Sequence, residues 1–341
     1  MKEYKVYKLG DNIKEFWDEY INESVGGTIF HRYEWLKIAE KHSKMKFIPI
    51  AVNKGDKTVC ILPLFYQKKY GIRILFSPPN GCGIPHLGPV FKIPSTNRYK
   101  YEKTYIDIID ELIQFMEKII GYDYLRIIHT PDIIDMRPYV WNKYVVRPHY
   151  TYKFDITNNI QEIFNNFHST TKNAIKKAIN NNDIVISRDP KYLSDILALV
   201  KKRYKDQNRK FNISNNYLEN LIDSSLSNNI ESISIIHDEN TIAGDIAITD
   251  RNFAYAWIGS VSRQKIIAGV GELVLWEKIK EYNERGYKSY DIIGANTRHI
   301  CKHKAKYGAN LVIYCVVQKV SLKGNVALTI MNNFKEKVQD Q

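Results

Sequence analysis

Apolar and polar positions follow the same order in both halves of the chain. In the first half, apolar runs at 47–52 and 58–65 flank the polar turn 53–56. In the second half, apolar runs at 233–236 and 242–248 flank a polar turn in the same way. Short apolar runs rich in Ile and Val on both sides of a polar turn predict a β-hairpin in each half.

Each predicted hairpin is followed by a third strand and a helix. The third strands are predicted over 72–76 and 253–258, where apolar residues again form a short run. Apolar residues then recur at helical spacing between Tyr105 and Ile120, and between Leu273 and Ile279. This spacing places them on one face and predicts an amphipathic helix in each half.

Both helices are predicted to end at a glycine followed by a tyrosine, Gly121 and Gly286, since glycine readily adopts the left-handed C-cap conformation. A further strand follows each glycine, at 124–128 and at 290–293. Hairpin, strand, helix and strand in this order resemble the core of the acetyltransferase (GNAT) fold. The predicted fold class is therefore α/β (α+β), with two tandem GNAT-like domains whose mixed sheets are flanked by helices.

The length of 341 residues allows two domains. Only the first half contains the segment 77–95, which is rich in Pro and Gly and accounts for the different spacing of the two repeats. The boundary is predicted near Tyr150, which gives an N-terminal domain of residues 1–150 and a C-terminal domain of residues 151–341.

An amphipathic helix is predicted to open the second domain over 160–178. Asn158 and Gln161 form a candidate capping box at its start. Lys172 and Lys176 share one edge of this helix, together with the next lysine. That edge is either a binding face for anions or a solvated surface.

The composition predicts a folded protein, because 44% of the residues are hydrophobic and 26% are charged. We find no apolar segment typical of a secretory signal, and no apolar run reaches the ~18–20 residues of a membrane span. The four cysteines show no CxxC spacing, which favours a reducing compartment. We therefore expect a cytoplasmic protein.

The chain carries a net charge of +13, spread along its length. A basic surface attracts polyanions such as RNA, nucleotide diphosphates or anionic membranes, so peripheral membrane contact stays open as well. The alternative is a general preference for lysine at neutral sites.

Four stretches of the second half resemble motifs of the Fem family of aminoacyl-tRNA-dependent peptidyl transferases. They are STTKNAIKKA at 169–178, YAWIGS at 255–260, YDIIG at 290–294 and HKAKYG at 303–308. Lys172 and His303 stand where the family usually has Arg and Phe. In the first half, Trp35 and Lys37 are similar to a Trp-x-Lys element of the family.

The resemblance implies an aminoacyltransferase that joins an activated amino acid, carried by tRNA, to an amine of a nucleotide- or lipid-linked precursor of a peptidoglycan-like cell envelope. Lys304 matches the lysine that stabilises charge near the scissile ester. The substrate-binding residues that the resemblance implies are Trp35, Lys37, Arg209, Tyr217, Tyr255, Trp257 and His303.

Each of these roles has a plainer alternative. Lys304 belongs to a basic run that could simply face solvent, and Arg209 could be an exposed cation without a ligand. Tyr255 and Trp257 alternate with alanines on one strand, so they could pack in the core instead of lining a cleft.

A coenzyme A site is expected to be degenerate. Gly269 and Gly271 open the second predicted helix, and the free N–H groups there could hold an anion. However, Ile266 stands where acetyltransferases have Arg or Gln, so we predict no tight coenzyme A binding and no cofactor.

A metal site is a weaker candidate. His299, Cys301 and His303 could present three ligands from one side of an extended segment, but no partner pair for zinc is evident. We predict no metal.

Two other functions stay open. One is an acyl-CoA-dependent N-acyltransferase acting on an amino sugar or peptide amine in envelope polysaccharide synthesis. The other is a non-catalytic RNA-binding protein, which would keep its RNA affinity after Lys304→Ala and show no turnover.

Overall fold

The protein is represented by a computed structural model, which describes residues 3–326. Its strands are β1 (Tyr4–Lys8), β2 (Lys46–Lys54), β3 (Lys57–Lys69), β4 (Ile72–Ser77), β5 (Val90–Phe91), β6 (Tyr124–Ile128), β7 (Val145–Asp155), β8 (Val185–Ser187), β9 (Ile230–His237), β10 (Asn240–Asp250), β11 (Phe253–Val261), β12 (Ser289–Asp291) and β13 (Asn310–Val320).

The α-helices lie between these strands. They are α1 (Lys14–Glu23), α2 (Tyr33–Ser43), α3 (Arg98–Phe115), α4 (Arg137–Trp141), α5 (Ile160–Asn165), α6 (Ser169–Ile179), α7 (Leu193–Asp206), α8 (Asn215–Ile222), α9 (Val270–Glu284) and α10 (Arg298–Lys304).

The chain divides into two compact units. One contains the residues up to Pro148 together with the segment that begins at Tyr314, and the other runs from His149 to Ile313. The segment from Tyr314 falls in the first unit because residues 316–320 of β13 pair antiparallel with β6. The sequence, in contrast, placed all residues from 151 onward in the C-terminal domain.

The sheet of the first unit has the strand order β1-β2-β3-β4-β6-β13. Neighbouring strands are antiparallel except β4 and β6, which are parallel and are connected through α3. A parallel pair needs such a crossover, because a tight turn cannot return the chain in the same direction. The buried face of α3, with Tyr105, Ile108 and Leu112, belongs to the same apolar core as β2 and β3.

The sheet of the second unit repeats this arrangement in the order β8-β9-β10-β11-β12-β7. Here β11 and β12 form the parallel pair, and α9 makes the crossover. The other neighbours are antiparallel. Val270, Leu273 and Ile279 of α9 are buried in the core of this unit.

The repeat confirms the predicted fold class of two tandem GNAT-like domains. Both predicted hairpins, both third strands and both helices form where the apolar pattern placed them. Gly121 and Gly286 both have positive φ, +68° and +75°, which glycine adopts readily. Gly121 has a ψ angle of 134°, however, so it is not the left-handed helical cap that the sequence predicted. The first helix continues past α3 as one π-helical turn, Met116–Ile120.

The helix predicted over 160–178 is instead two helices, α5 and α6. The N-cap of α5 is Asn159, whose side chain accepts a hydrogen bond from Gln161 N at 2.8 Å, so the predicted cap at Asn158 is wrong by one residue. The helix breaks at His168 because its backbone N–H donates to the Lys306 carbonyl at 2.8 Å instead of continuing α5. Its ring then caps α6.

Of the lysines predicted to form a basic edge on this helix, Lys176 is exposed. Lys172 folds back, and its Nζ donates to the Asn165 carbonyl at 3.1 Å. In the described part of the chain, no helix combines the length and the apolar character needed to cross a membrane.

Candidate functional site

The candidate site is built around the end of β12 in the second unit. After this strand the backbone turns through Ile293 and Gly294, which have φ angles of +47° and +66°. A β-branched residue such as Ile is strained at positive φ, so the surrounding structure must hold the turn in place.

Lys304 holds this turn from the last position of α10. Its Nζ donates hydrogen bonds to the carbonyl oxygens of Ile292, at 2.5 Å, and Ile293. A Cβ at Gly294 would lie 3.7 Å from Nζ, so the missing side chain leaves one side of the ammonium group open. The lysine is half-buried, and this burial lowers its pKa, while Asp291 and Asp245 act in the opposite direction.

Asp291 is buried at the same strand end. Its Oδ1 accepts hydrogen bonds from Thr151 Oγ1 at 2.5 Å and from the backbone N–H of Ile293 at 2.8 Å. Burial raises the pKa of this carboxyl, and the two donors partly oppose the rise. Asp291 therefore holds the strained turn through the backbone N–H of Ile293, while Lys304 holds it through the Ile292 and Ile293 carbonyls.

A second buried carboxyl, Asp245, lies on β10. Tyr290 donates its hydroxyl hydrogen bond to Asp245 Oδ2 at 3.3 Å. In the antiparallel register Asp245 lies opposite Gly259 of β11, and a Cβ at Gly259 would come within 2.6 Å of Oδ1. Burial raises the pKa of Asp245 to about 7, against the attraction of Lys278 and Lys304.

Lys278 completes the cluster from α9. Its side chain is 0% exposed, and among the described residues its Nζ finds no hydrogen-bond partner. The nearest carboxylate oxygen is Glu231 Oε2 at 3.8 Å, and that carboxylate is also held by Arg285 at 2.8 Å. Burial lowers the pKa of Lys278. In the second unit the buried Asp245 thus interacts with the buried Lys278 and the half-buried Lys304, and the buried Asp291 also interacts with Lys304. Away from water such charge interactions are stronger.

Sequence reasoning found Lys304 but missed Asp245, Asp291 and Lys278. A signal was present for two of them. Asp245 interrupts a strand in which every residue from Ile242 to Asp250 is buried. Lys278 lies on the apolar side of α9, at four-residue spacing between two buried residues. A charged residue inside an apolar pattern indicates a paired or functional group.

His303 precedes Lys304 on α10 and points toward Tyr307, whose hydroxyl lies 2.8 Å from Nε2. Partial burial lowers the pKa of His303, with Glu272 opposing the change. Lys306 and Arg203 of α7 also act on this ring, and both lower its pKa. A role in substrate binding stays a prediction.

Tyr217, Tyr255 and Trp257 lie on α8 and β11 of the same unit. Trp257 and Tyr255 are half-buried, while Tyr217 is buried with its ring centroid 6.4 Å from that of Trp257. The pairing with β10 skips Trp257, because Ala256 pairs with Ala247 and the next pair is Ile258 with Ile246. The unpaired residue marks a β-bulge, a feature that generally bends a strand and increases its local twist.

Arg209 follows α7 and is exposed. Its guanidinium lies 5.4 Å from the ring centroid of Tyr204, and its backbone N–H donates to the Tyr204 carbonyl at 2.9 Å. A cation stacked on an aromatic ring keeps its donors directed outward. Phosphate binding by Arg209 stays a prediction.

Trp35 and Lys37 lie on α2 of the first unit. Trp35 is 0% exposed and packs edge-on against Phe30, with ring centroids 4.9 Å apart. It has no surface on which a substrate could lie. Lys37 is exposed and forms an ion pair with Glu40 one turn along the helix.

Gly269 and Gly271, the two glycines at the candidate anion-binding start of the helix, are tightly packed. Gly269 caps α9 with φ of +87°, and a Cβ there would lie 2.1 Å from the Ala174 carbonyl oxygen of α6. A Cβ at Gly271 would lie 2.9 Å from Val261 Cγ2. Packing of α6 on α9 is therefore sufficient to explain Gly269 without a ligand.

The segment with His299, Cys301 and His303 is helix α10, not the extended strand that the metal hypothesis required. On a helix, residues two apart point to different sides. Within residues 3–326 no group of three His, Cys, Asp or Glu residues is placed to hold a metal ion.

Comparison with known proteins supports the same fold. Residues 165–301 match the sequence profile described as an acetyltransferase (GNAT) domain. No curated protein sequence matches the chain.

Solved structures match over nearly the whole chain at low identity. FemX is 11% identical with a TM-score of 0.67, covering 91% of this chain and 96% of FemX. L-PGS from Bacillus licheniformis is 12% identical with a TM-score of 0.54, covering 92% and 95%. A tandem GNAT protein from the clavulanic acid biosynthesis pathway is 10% identical with a TM-score of 0.51, covering 93% and 98%.

These findings confirm the predicted fold, a Fem-like tandem of GNAT domains. The profile match places an acetyltransferase (GNAT) domain at residues 165–301, in line with the prediction of an acyltransferase.

Proposed function

We propose that this acyltransferase forms an amide bond between an amino acid carried by tRNA and an amine of a nucleotide- or lipid-linked cell-envelope precursor, and that it acts in the cytoplasm. The observation that carries the proposal is the position of Lys304. Its ammonium group lies at the end of a buried strand, held by two carbonyl oxygens, in a region that also buries two carboxyls.

The chemistry of aminolysis fits this arrangement. The neutral acceptor amine attacks the ester carbonyl, and negative charge develops on the carbonyl oxygen in the tetrahedral intermediate. A partly buried ammonium group stabilises that charge better than an exposed one, because less water screens it. As the C–O bond breaks, the proton lost by the attacking nitrogen is needed by the leaving ribose oxygen.

The ammonium nitrogen of Lys304 has three N–H donors. Two of them bind the carbonyl oxygens of Ile292 and Ile293, so the third remains for the oxyanion. Gly294, which has no side chain, leaves room beside the ammonium group. The motif around Lys304 and the likeness to FemX support the same assignment.

The donor is the second part of the proposal. Acetyltransferases have an Arg or Gln in the pyrophosphate-binding loop before this helix, and this chain has Ile266 there, 81% exposed. Because Gly269 is explained by packing on α6, nothing further favours a pyrophosphate at this helix end. Calorimetry with acetyl-CoA is expected to detect no micromolar binding.

The direct test uses purified protein, total tRNA charged with labelled amino acids, and nucleotide-linked peptidoglycan precursors. Label is expected to move to the precursor, and RNase treatment of the charged tRNA before mixing is expected to abolish the transfer. Transfer from labelled acetyl-CoA that survives RNase would instead establish the acyl-CoA-dependent N-acyltransferase.

A further inference from the structure

We propose that the first unit carries a docking surface for anionic membranes, at the end of its sheet where β3 turns into β4. This hairpin-end surface consists of residues 44–46, the turn at 66–73 and the helical turn at 322–326. The inference goes beyond the proposed transfer reaction, because it concerns where the protein is held and not how Lys304 acts. It gives a location to the membrane contact that the net charge of the chain left open.

The turn between β3 and β4 presents an aromatic ring to solvent. Lys69 pairs with Ile72 across it, so Tyr70 and Gly71 form a two-residue turn, with φ angles of +51° and +76°. Positive φ at both positions favours Asn followed by Gly, and a bulky residue such as Tyr is strained there. Tyr70 is 91% exposed, so burial of its ring does not offset this strain. A contact with another molecule would explain why the turn carries a tyrosine.

The second unit shows that such a turn does not require a tyrosine. In the repeat, β10 and β11 correspond to β3 and β4, and Arg251 takes the place of Tyr70 with φ of +50°. Arg251 forms an ion pair with the neighbouring Asp250 at 3.4 Å. Positive φ at this position therefore occurs with a charged residue that pairs locally, and the exposed ring is particular to the first unit.

Further exposed apolar side chains lie beside the turn. Leu322 is 87% exposed and Val326 is 61% exposed, four residues apart on the helical turn 322–326. Lys323 joins this segment to the hairpin, since its Nζ donates to the Gly71 carbonyl at 2.9 Å. Single exposed apolar residues are ordinary on a protein surface. Here a hydrogen bond holds two segments side by side, each with an almost fully exposed apolar side chain, which is typical of an interaction site.

The charge of the hairpin-end surface is positive. The Gln67 side chain donates to the Lys44 carbonyl at 3.4 Å, so residues 44–46 lie beside the turn. The exposed lysines of this surface are Lys44, Lys46, Lys68, Lys69 and Lys323. Its three segments, all within the described part of the chain, contain no acidic residue. Arg73 is the one cation of these segments that a carboxylate neutralises within residues 3–326, through the buried Asp123 at 3.2 Å.

Lysines around exposed Tyr and Leu side chains match the surface of an anionic bilayer. Ammonium groups bind lipid phosphates, while tyrosine and aliphatic side chains insert at the boundary between headgroups and acyl chains. RNA is the other polyanion that a basic surface attracts. However, Leu322 and Val326 offer no ring on which a base could stack, so the bilayer fits these residues better.

A second exposed apolar area of the first unit has a different electrostatic character. Ile134 and Trp141 are exposed at a groove whose lining includes three carboxyls, those of Glu102, Asp132 and Asp135. Arg137 is the cation between them, and it is bound by Asp135 at 2.8 Å and by Glu102 at 2.9 Å. Carboxylates repel anionic headgroups, so this groove supplies matched controls for the apolar residues.

Vesicle binding of the full-length protein tests the surface without any substrate. Vesicles of phosphatidylcholine and phosphatidylglycerol at roughly 2:1 are sedimented with the protein at about 0.15 M salt. The protein is expected to sediment with them, and much less with pure phosphatidylcholine. Lys68→Gln/Lys69→Gln is expected to raise the lipid concentration for half-maximal binding by about fivefold for each lysine. Lys57→Gln/Lys103→Gln removes the same charge at exposed positions outside the surface and is expected to change binding little.

Tyr70→Asn/Leu322→Gln tests the apolar contribution. Asn tolerates positive φ better than Tyr, so thermal stability is expected to be kept, while lipid affinity is expected to fall by roughly tenfold. Tyr99→Asn/Ile134→Gln makes the same two substitutions at positions that are both 75% exposed in the same unit, and it is expected to bind like wild type.

Wild type that binds neither kind of vesicle, or equal losses in a variant and its matched control, overturns the inference. It is also overturned if Lys68→Gln/Lys69→Gln lowers affinity for tRNA in filter binding and leaves vesicle binding unchanged. A dimer in light scattering that Tyr70→Asn/Leu322→Gln converts to a monomer would assign the surface to a second copy of the chain instead. The transfer reaction is judged separately, with a soluble nucleotide-linked precursor and no vesicles, where these variants are expected to keep the wild-type rate. Absence of transfer there rejects the proposed function alone.

Discussion

The Tyr290 hydroxyl donates a hydrogen bond to Asp245 Oδ2 at 3.3 Å, although the two residues are 45 positions apart in the sequence. The contact joins the crossover strand β12 to the hairpin strand β10, which are not neighbours in the sheet. It places a carboxyl with a pKa of about 7 beside the strand end that Lys304 holds.

Asp245 makes the stability of the protein depend on pH. Its pKa is raised from 3.8 to about 7, so the folded state binds this proton more tightly than the unfolded state between those values. The stabilisation is complete below pH 3.8 and is lost as the pH rises through 7. Asp245→Asn cannot titrate and does not show this loss. The free energy of unfolding of the variant minus that of wild type is therefore expected to rise by about 3–4 kcal/mol as the pH increases from 4 to 7.

Denaturant unfolding at a series of pH values measures this difference. Asp238→Asn is the control, and its pH dependence of stability should have the opposite sign. The reason is that Lys265 at 3.0 Å lowers the pKa of Asp238. Stability from that residue is present above its ordinary pKa and is lost on acidification. A difference between Asp245→Asn and wild type that stays constant with pH would show that Asp245 is not a buried titrating group.

Lys278 is expected to cost stability rather than provide it. Its Nζ is buried and has no hydrogen-bond partner within residues 3–326, and Glu231 keeps Arg285 and Tyr282 as partners when the lysine is removed. Lys278→Met fills a similar volume without a charge and is expected to raise the free energy of unfolding at pH 7 by about 1–3 kcal/mol.

The gain should shrink as the pH rises, because the folded pKa of Lys278 lies below its ordinary value of 10.5 and the unfolded state binds more protons in that window. Lys280→Met, on the more exposed side of the same helix, is the matched control and is expected to change little. A loss of stability in Lys278→Met would mean that its charge is well compensated.

Substituting the two glycines at the ends of α9 distinguishes the cost of backbone strain from the cost of a steric clash. Both have positive φ, +87° at Gly269 and +75° at Gly286, but only Gly269 has a neighbour within reach of a Cβ, the Ala174 carbonyl. Gly286→Ala is expected to cost about 1 kcal/mol from backbone strain alone. Gly269→Ala is expected to cost at least twice as much, because α6 must move as well.

Thermal unfolding of the two variants under one condition gives the comparison. Equal losses would show that α6 does not press on the N-terminus of α9. That result would also reopen anion binding at the helix start as the explanation of Gly269.

The periodic parts of the fold could be predicted from the sequence, and the buried cluster could not. Apolar runs and the glycines at 121 and 286 located both hairpins and both crossover helices, because their spacing depends only on neighbouring residues. The break at His168 depends on a hydrogen bond to Lys306, 138 positions away, and no local pattern contains it.

The same limit applies to the site. Lys304 was identified from a motif, but its partners Ile292 and Ile293 are backbone carbonyls, which any residue would supply. Thr151 and Asp291 meet across 140 positions. Trp35 shows the converse, since its motif indicated a substrate contact and the structure places it in the core.

Lys304→Met distinguishes a catalytic role of Lys304 from a structural one. The substitution removes the charge and leaves the aliphatic stem, while the Ile292 and Ile293 carbonyls lose a donor. Some stability is therefore expected to be lost, about 1–3 kcal/mol, and unfolding is measured in parallel. Lys304→Arg is expected to rescue poorly, because its broad fork does not reproduce a point charge at this position.

The decisive measurement is the single-turnover rate of amino acid transfer from charged tRNA, with folded protein and saturating acceptor. We expect Lys304→Met to be slower by about 10²–10³-fold with nearly unchanged substrate affinity, because the interaction exists only in the transition state. Lys302→Met and Lys306→Met, its exposed neighbours, are expected to stay within a few-fold of wild type. A Lys304→Met rate equal to theirs would contradict the account and leave Lys304 as a structural clamp on the strand end.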